Sequence, residues 1–253
     1  MRCKASIIIT SFQRPHLLKW GLFSIARQNI PFKIETIVIN DGVIDQTEQL
    51  CNQYKKALNL KYIFSGQRNL NGEIKWRVPG FAINISAKQS SGEVLIISCA
   101  EMFHLNDCIT KLTLPVMENP KLMAIPLGWD DNGSFLNQLN THQGNYNINT
   151  LAQYGRLNVS LPFLMAVSRE EFFKIGGYDE DFTGMAYDDD DFVGRLKSDG
   201  CSYQQTEAKT IHLYHRHVAS YDNPARHSYN HGLYQSLKGK IIRNENREWG
   251  KLP

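Results

Sequence analysis

The sequence lacks any apolar stretch that approaches the roughly 20 residues of a bilayer-spanning helix. The sequence also lacks a large excess of charge of either sign. The 28 Lys and Arg residues against 25 Asp and Glu residues leave a net charge of +3, too little to indicate a nucleic-acid-binding protein. Cysteine is limited to five residues, and none forms the Cys-x-x-Cys pair of a zinc or redox site. These absences predict a soluble, cytoplasmic protein with reduced thiols, at most peripheral to a membrane.

Apolar, β-branched runs alternate with helical patterns over roughly the first hundred residues. The predicted strands are Ala5–Thr10, Ile34–Asn40, Leu60–Phe64 and Glu93–Ser98. The predicted helices are Pro15–Ile25, Asp45–Leu58 and Phe81–Ser90. This order predicts an α/β fold with a parallel sheet between helices, in which ligands bind at the carboxyl ends of the strands. The residues at those ends are Thr10, Ser11, Asn40, Asp41, Ser98, Cys99, Ala100 and Glu101.

The second half of the chain is less regular. Residues 128–160 are rich in Asn, Gly and Gln, and we expect a long loop or lid there. A strand at Leu161–Val167 and helices at Arg169–Ile175 and Asp190–Ser198 are predicted beyond it. Residues 226–253 are polar, with six Lys and Arg residues against two Glu residues. This basic segment is expected to be either a solvated tail or a contact with an anionic membrane.

Acidic residues are concentrated between Asp179 and Asp191, where seven carboxylates occur in thirteen residues and four are consecutive. One interpretation is a solvated helix start, because Asp favours the first helical turn. The flanking residues are apolar and turn-forming, however, which indicates that the run lies in a structured wall. Like charges this close repel unless a cation or a proton relieves them. The run therefore favours catalytic or ligand-binding carboxylates.

The segment GGYDEDFTGMAYDDDDFVGRL at 176–196 resembles the acceptor-side motif of inverting GT-A glycosyltransferases, both family 2 and the β-1,4-galactosyltransferase group. The resemblance implies that Asp189 is the catalytic base. It implies that Asp188 hydrogen-bonds the acceptor sugar and that Asp191 has a structural role. Met185 and Ala186 replace the usual Trp-Gly of the motif, so the family's stacking platform is not carried over.

Two N-terminal segments are similar to the same superfamily, namely SIIITSFQR at 6–14 and IVINDG at 37–42. In the family these segments bind the uridine part of the donor. Arg77 resembles the basic residue that meets the donor phosphates, with Lys75 as the rival. The donor-binding residues that the resemblance implies are Thr10, Phe12, Arg14, Asn40, Asp41, Arg77, Cys99 and Ala100.

The metal-binding segment departs from the family. The usual Asp-x-Asp is replaced by Cys99-Ala-Glu101, which keeps one hard oxygen ligand. Cys99 as a ligand would favour a softer metal, and we expect it to pack instead. Two histidines three residues apart, His212 and His215, resemble the ligand pair of the galactosyltransferase group. The resemblance thus implies Mn²⁺ or Mg²⁺ held by Glu101, His215 and His212.

The resemblance implies a single GT-A domain over 1–253 with a mixed, mostly parallel sheet. Its expected parts are a nucleotide-binding half at 1–105, an acceptor-binding half at 106–225 and the basic segment at 226–253. The implied activity is transfer of a sugar, with inversion, from a UDP-sugar to a glycan or a lipid-linked saccharide. Two alternatives stay open, a non-catalytic relic and a sugar-nucleotidyltransferase. The second is disfavoured because residues 11–15 contain no glycine.

Overall fold

The computed structural model describes residues 3–66, 78–183, 186–216 and 224–252. Its strands belong to one mixed sheet, in the order β3-β2-β1-β4-β8-β6-β9-β5, with β7 paired to β6. The strands are β1 (Ala5–Ser11), β2 (Ile34–Asn40), β3 (Leu60–Phe64), β4 (Val94–Cys99), β5 (Met102–His104), β6 (Leu122–Asp130), β7 (Gly155–Arg156), β8 (Leu164–Ser168) and β9 (Ser202–His212). The helices are α1 (Pro15–Ala26), α2 (Thr47–Tyr54), α3 (Pro79–Lys88), α4 (Cys108–Glu118), α5 (Ser134–Thr141), α6 (Arg169–Lys174), α7 (Asp188–Ser198) and α8 (Pro224–Ser236).

The first half of the sheet is parallel, and the predicted α/β class is confirmed. β1 pairs in parallel with both β2 and β4, and β2 pairs with β3. Successive side chains of a strand face opposite sides, so Ile7 and Ile9 pack with α1 and α4. Ile8, between them, packs with α3, α6 and α7. The four strands predicted in this half lie within one residue of their predicted bounds.

The second half of the sheet is mainly antiparallel. β8 pairs antiparallel with both β4 and β6, whereas β6 and β9 are parallel. The prediction missed the long strand β9 because much of its N-terminal half is exposed, so its sequence lacks an apolar run. Its C-terminal end is buried, and there it pairs with β5.

The expectation of a long loop at 128–160 is wrong. The segment contains the end of β6, helix α5, a 3₁₀-helix at Ile148–Gln153 and β7. Phe135, Leu139 and Tyr154 from this segment are buried against Phe103 and Ile211 of β5 and β9. Helix α5 is short and its polar residues outnumber its apolar ones, which is why composition alone indicated a loop.

The basic C-terminal segment folds onto the acidic run. Arg243 is 4% exposed, and its Nη2 lies 2.6 Å from Asp191 Oδ1 while its Nε lies 3.0 Å from Asp179 Oδ2. Asn244 donates hydrogen bonds to the backbone oxygens of Gly176 and Tyr178. Residues 241–250 are therefore not the solvated tail that was one of the two expectations. No helix in the described part of the chain has the length and apolar character needed to cross a membrane.

We predict that Arg243→Met lowers the free energy of unfolding by about 3 kcal/mol, because it leaves two buried carboxylates short of a cation. Urea denaturation followed by circular dichroism measures this change. Lys240→Met is the control, since Lys240 forms an exposed pair with Glu245 at 3.5 Å and such pairs contribute less than about 1 kcal/mol. Equal effects of the two substitutions would contradict the role assigned to Arg243.

Candidate active site

The carboxyl end of β4 and the end of β9 bring together three groups that can bind a metal. Glu101 follows β4 and is 2% exposed. Its carbonyl oxygen accepts from Leu213 N at 2.8 Å, directly after β9. Ligand atoms of Cys99, Glu101 and His212 lie within 4.8 Å of one another. We call these three residues the metal trio.

The metal trio differs from the predicted set. His215 was predicted as a ligand, but it lies outside the trio, with its ring centroid 5.2 Å from that of His212 and its Nδ1 3.3 Å from Arg216 O. Cys99 was predicted to pack on the donor side, and it stands within the trio. Burial raises the pKa of its thiol to about 12, so without a metal ion the thiol is neutral near pH 7. The metal trio offers one carboxylate, one imidazole and one thiol.

Two further side chains, of Asp130 and Arg14, contact members of the metal trio. His212 Nδ1 lies 3.0 Å from Asp130 Oδ1, and a carboxylate contact of this kind commonly orients a metal-binding imidazole. Arg14, at the start of α1, forms an ion pair with Glu101. Because the guanidinium and a divalent cation would compete for the same carboxylate, metal binding requires Arg14 to shift. The donor set fits Mn²⁺ or Mg²⁺ only if other oxygen ligands complete the coordination.

Several of the residues predicted to bind the nucleotide lie at the carboxyl ends of β1 and β2. Asp41 is buried, and its carboxylate accepts a hydrogen bond from the Ser65 hydroxyl. Thr10 and Phe12 are half-buried. Asn40 is buried and donates to Val43 O at 2.6 Å, so its amide holds the turn after β2. Ala100 is also buried, and Arg77 lies outside the described residues.

The four consecutive aspartates have four different environments on the first turn of α7. Asp191 is buried and pairs with Arg195 at 2.7 Å, as well as with Arg243. Asp190 is exposed. Asp188 is buried, and its Oδ2 has no hydrogen-bond partner. Asp189 is half-buried and accepts a hydrogen bond from the Tyr178 hydroxyl at 3.1 Å. Of these four, Asp188 and Asp189 therefore combine burial with an oxygen that pairs with no cation in the described part of the chain.

The environment of this pair makes both carboxyls weaker acids. Burial raises the pKa of Asp189 to about 6, although the Tyr178 hydroxyl opposes the rise. Burial and the neighbouring Asp189 charge raise the pKa of Asp188 well above its usual range. The Asp189 charge also helps to raise the pKa of the Cys99 thiol, so the two side chains interact electrostatically. An acid with a pKa near 6 is ionised at neutral pH and is a stronger base than an ordinary carboxylate.

Sequence reasoning did not assign a role to Tyr178, which the structure places beside Asp189. Its ring is fully buried and stacks on Phe192 with centroids 4.2 Å apart. Asn84 binds its backbone on both sides, at 2.9 Å from the nitrogen and 2.9 Å from the oxygen. Only a glycine at position 80 allows helix α3 to lie this close to Tyr178, because a Cβ there would collide with the Tyr178 ring. The only signal in the sequence was the place of Tyr178 in the motif.

The chain belongs to glycosyltransferase family 2, since the sequence model of glycosyl transferase family 2 matches residues 6–173, more than half of the 253 residues. A second family model, described as the N-terminal domain of galactosyltransferase, matches residues 163–217. The two matches meet at β8 and α6, and the second contains the acidic run and His212. The resemblance predicted from the motifs is confirmed.

A curated relative is the poly(ribitol-phosphate) β-N-acetylglucosaminyltransferase TarS of Staphylococcus aureus. It is 30% identical over 112 residues, which cover 44% of this chain and only 18% of TarS. The crystal structure of S. aureus TarS superposes with a TM-score of 0.63 at 17% identity, over 92% of this chain and 39% of that one.

Two other solved structures are similar. GalNAc-T7 with UDP, GalNAc and Mn²⁺ has a TM-score of 0.61 at 16% identity, over 84% of this chain and 44% of that one. The mannosyltransferase PcManGT of Pyrobaculum calidifontis, with GDP-Man and Mn²⁺, has a TM-score of 0.59 at 15% identity, over 93% and 62%. At these identities the likeness establishes the GT-A fold.

We predict that Tyr178→Phe raises the pKa of Asp189 further above about 6, by about one unit, because it removes a hydrogen bond that favours the ionised form. A ¹³C NMR titration of the Asp189 carboxyl carbon measures it. Tyr203→Phe is the matched control, because it removes a tyrosine hydroxyl that donates to Ser160 O at 2.5 Å. An unchanged or lowered Asp189 pKa in Tyr178→Phe would show that the hydroxyl has no such effect.

Proposed function

We propose that the protein transfers a sugar from a nucleotide-diphosphate donor to a hydroxyl acceptor, with inversion at the anomeric carbon. The observation that carries the proposal is the half-buried Asp189 carboxylate, which has a raised pKa and interacts electrostatically with Cys99 of the metal trio. Membership of glycosyltransferase family 2 supports the reaction class.

Asp189 acts as the base in this reaction. It takes the proton of the acceptor hydroxyl while the acceptor oxygen forms a bond to the anomeric carbon. The bond from that carbon to the diphosphate oxygen breaks on the opposite face, and the diphosphate leaves with the electron pair. Asp188 accepts a hydrogen bond from an acceptor hydroxyl through Oδ2, which has no hydrogen-bond partner among the described residues.

Glu101 and His212 would hold Mn²⁺ or Mg²⁺, which when bound neutralises the negative charge that grows on the leaving diphosphate. Arg14 is a second cation at this place. Released from Glu101, its guanidinium donates hydrogen bonds to the phosphate oxygens. Thr10, Phe12 and Asp41 line the nucleotide end, where the Asp41 carboxylate accepts from the base or the ribose.

We propose a UDP-sugar as donor and a glycan or lipid-linked saccharide of a bacterial surface polymer as acceptor. Among the similar structures, TarS has been crystallised with UDP-GlcNAc, which supports uridine. We propose that this sugar transfer takes place on the cytoplasmic side of a membrane that carries such acceptors. The loss of the first metal aspartate favours a non-catalytic relic, whereas the perturbed Asp188 and Asp189 pair favours an enzyme.

We predict that Asp189→Asn lowers sugar transfer about a thousandfold, since it removes the general base, and leaves the Kd of UDP unchanged. Donor turnover is measured with UDP-GlcNAc, UDP-glucose and UDP-galactose in the presence of Mn²⁺, and UDP binding is measured by calorimetry. Asp190→Asn is the matched control, because Asp190 is the exposed neighbour on the same turn. Near-normal turnover by Asp189→Asn would exclude Asp189 as the base.

We predict that His212→Ala weakens Mn²⁺ binding at least about tenfold in the presence of UDP, because it removes one of two protein ligands. Electron paramagnetic resonance of free Mn²⁺ gives the affinity without any turnover. His215→Ala is the control and is expected to change the affinity little, since His215 lies outside the metal trio. The reverse order of effects would restore His215 as the ligand.

A further inference from the structure

A group of four aromatic rings lies at the turn that begins α7, next in sequence to Asp188 and Asp189. Tyr187, which directly precedes Asp188, stacks on Tyr234 with centroids 5.6 Å apart. The imidazoles of His227 and His231 lie 5.1 and 5.2 Å from the same ring. We call these four residues the ring wall. Three of them come from one face of α8, and the fourth comes from the turn that begins α7.

The ring wall is not part of the hydrophobic core. None of its members belongs to the apolar clusters of the described chain. Tyr187 and Tyr234 are half-buried, and His227 and His231 are exposed. Four rings that gather at the surface bury little apolar area, so core packing does not explain the cluster. Surface aromatic clusters of this kind are typical of binding sites.

The turn that carries Tyr187 is strained and held from α8. Ala186 and Tyr187 have φ angles of 72° and 69°, a left-handed conformation that residues other than glycine rarely adopt. Asn230 is fully buried on α8 and donates to Ala186 O at 3.0 Å and to Thr183 O at 2.7 Å. Its Oδ1 accepts from Thr183 N at 3.1 Å. Such strain is concentrated at functional sites, and here it brings Tyr187 to α8 next to the aspartate pair.

We propose that the ring wall binds the acceptor as a saccharide ring, an inference that rests on the proposed function. A pyranose has an apolar C–H face and a rim of hydroxyls. Tyrosine and histidine rings offer apolar faces with polar atoms at their edges, which match both features. The unpartnered Oδ2 of buried Asp188, one residue from Tyr187, is a second group that requires a hydroxyl partner.

The ring wall supplies aromatic surface at the turn that begins α7, through Tyr187 and the three rings of α8. Acceptor preference in this chain therefore depends on α8, whose sequence lies outside the part matched by either family model.

The test is saturation-transfer NMR on the protein with UDP and Mn²⁺, using methyl glycosides of glucose, galactose, mannose and N-acetylglucosamine as probes. We expect at least one glycoside to bind, and Tyr187→Ala or Tyr234→Ala to raise its Kd about tenfold. Tyr187→Phe retains the ring and is expected to retain binding. Tyr229→Ala is the matched control, because Tyr229 is a 54% exposed tyrosine of the same helix outside the ring wall. An unchanged Kd of UDP in each variant shows that the fold is intact.

Two results would overturn the proposal. One is the absence of saturation transfer to every glycoside, or binding that Tyr187→Ala and Tyr234→Ala leave unchanged. The other is binding of ribitol 5-phosphate alone, since an acyclic polyol has no ring face. Failure of the proposed reaction is a separate result: glycosides that bind through the ring wall, together with normal transfer by Asp189→Asn, would support the ring wall and reject Asp189 as the base.

Discussion

The hydrogen bond from the Tyr178 hydroxyl to Asp189 is the contact on which the arrangement of the site depends. The ring can make it only because Gly80 leaves room and Phe192 stacks beneath it. Its backbone is fixed from two directions by the amides of Asn84 and Asn244. Four separate segments of the chain therefore determine the position and basicity of one carboxylate. The same hydroxyl limits how far burial can raise the pKa of Asp189.

The carboxylates near Asp189 form two groups, those that pair with an arginine and those that do not pair with one among the described residues. Asp179 and Asp191 are paired with Arg243 and hold the fold together. Glu101 is paired with Arg14. Asp188 and Asp189 pair with no cation among the described residues, and burial raises the pKa values of both. Within one acidic run, Asp179 and Asp191 therefore stabilise the fold, whereas Asp188 and Asp189 have the perturbed carboxyls.

Much of the fold could be predicted because buried strands have an unmistakable pattern. β2 and β3 have the bounds that their β-branched runs predicted, and the acidic run carries a motif with many matching positions. β9 could not be predicted, because much of its N-terminal half is exposed and polar. The exclusion of His215 from the metal trio depends on how β9 ends, and the partners of Arg243 lie more than fifty residues away in sequence. Long-range pairing of this kind leaves no local signal.

The contacts made by residues 243–250 determine the order in which parts of the fold can form while the chain is being synthesised. Arg243 pairs with Asp191 across 52 residues, Gly250 N donates to Glu180, and Trp249 packs with Phe173 and Lys88. A ribosome exposes Asp189 well before it exposes these partners. During that interval Asp179 and Asp191 lack Arg243, and the turn before α7 lacks Asn230 of α8, which holds it. Strands β1 to β4 can pair early, whereas the contacts of the acidic run are complete only after residues 243–250 have emerged.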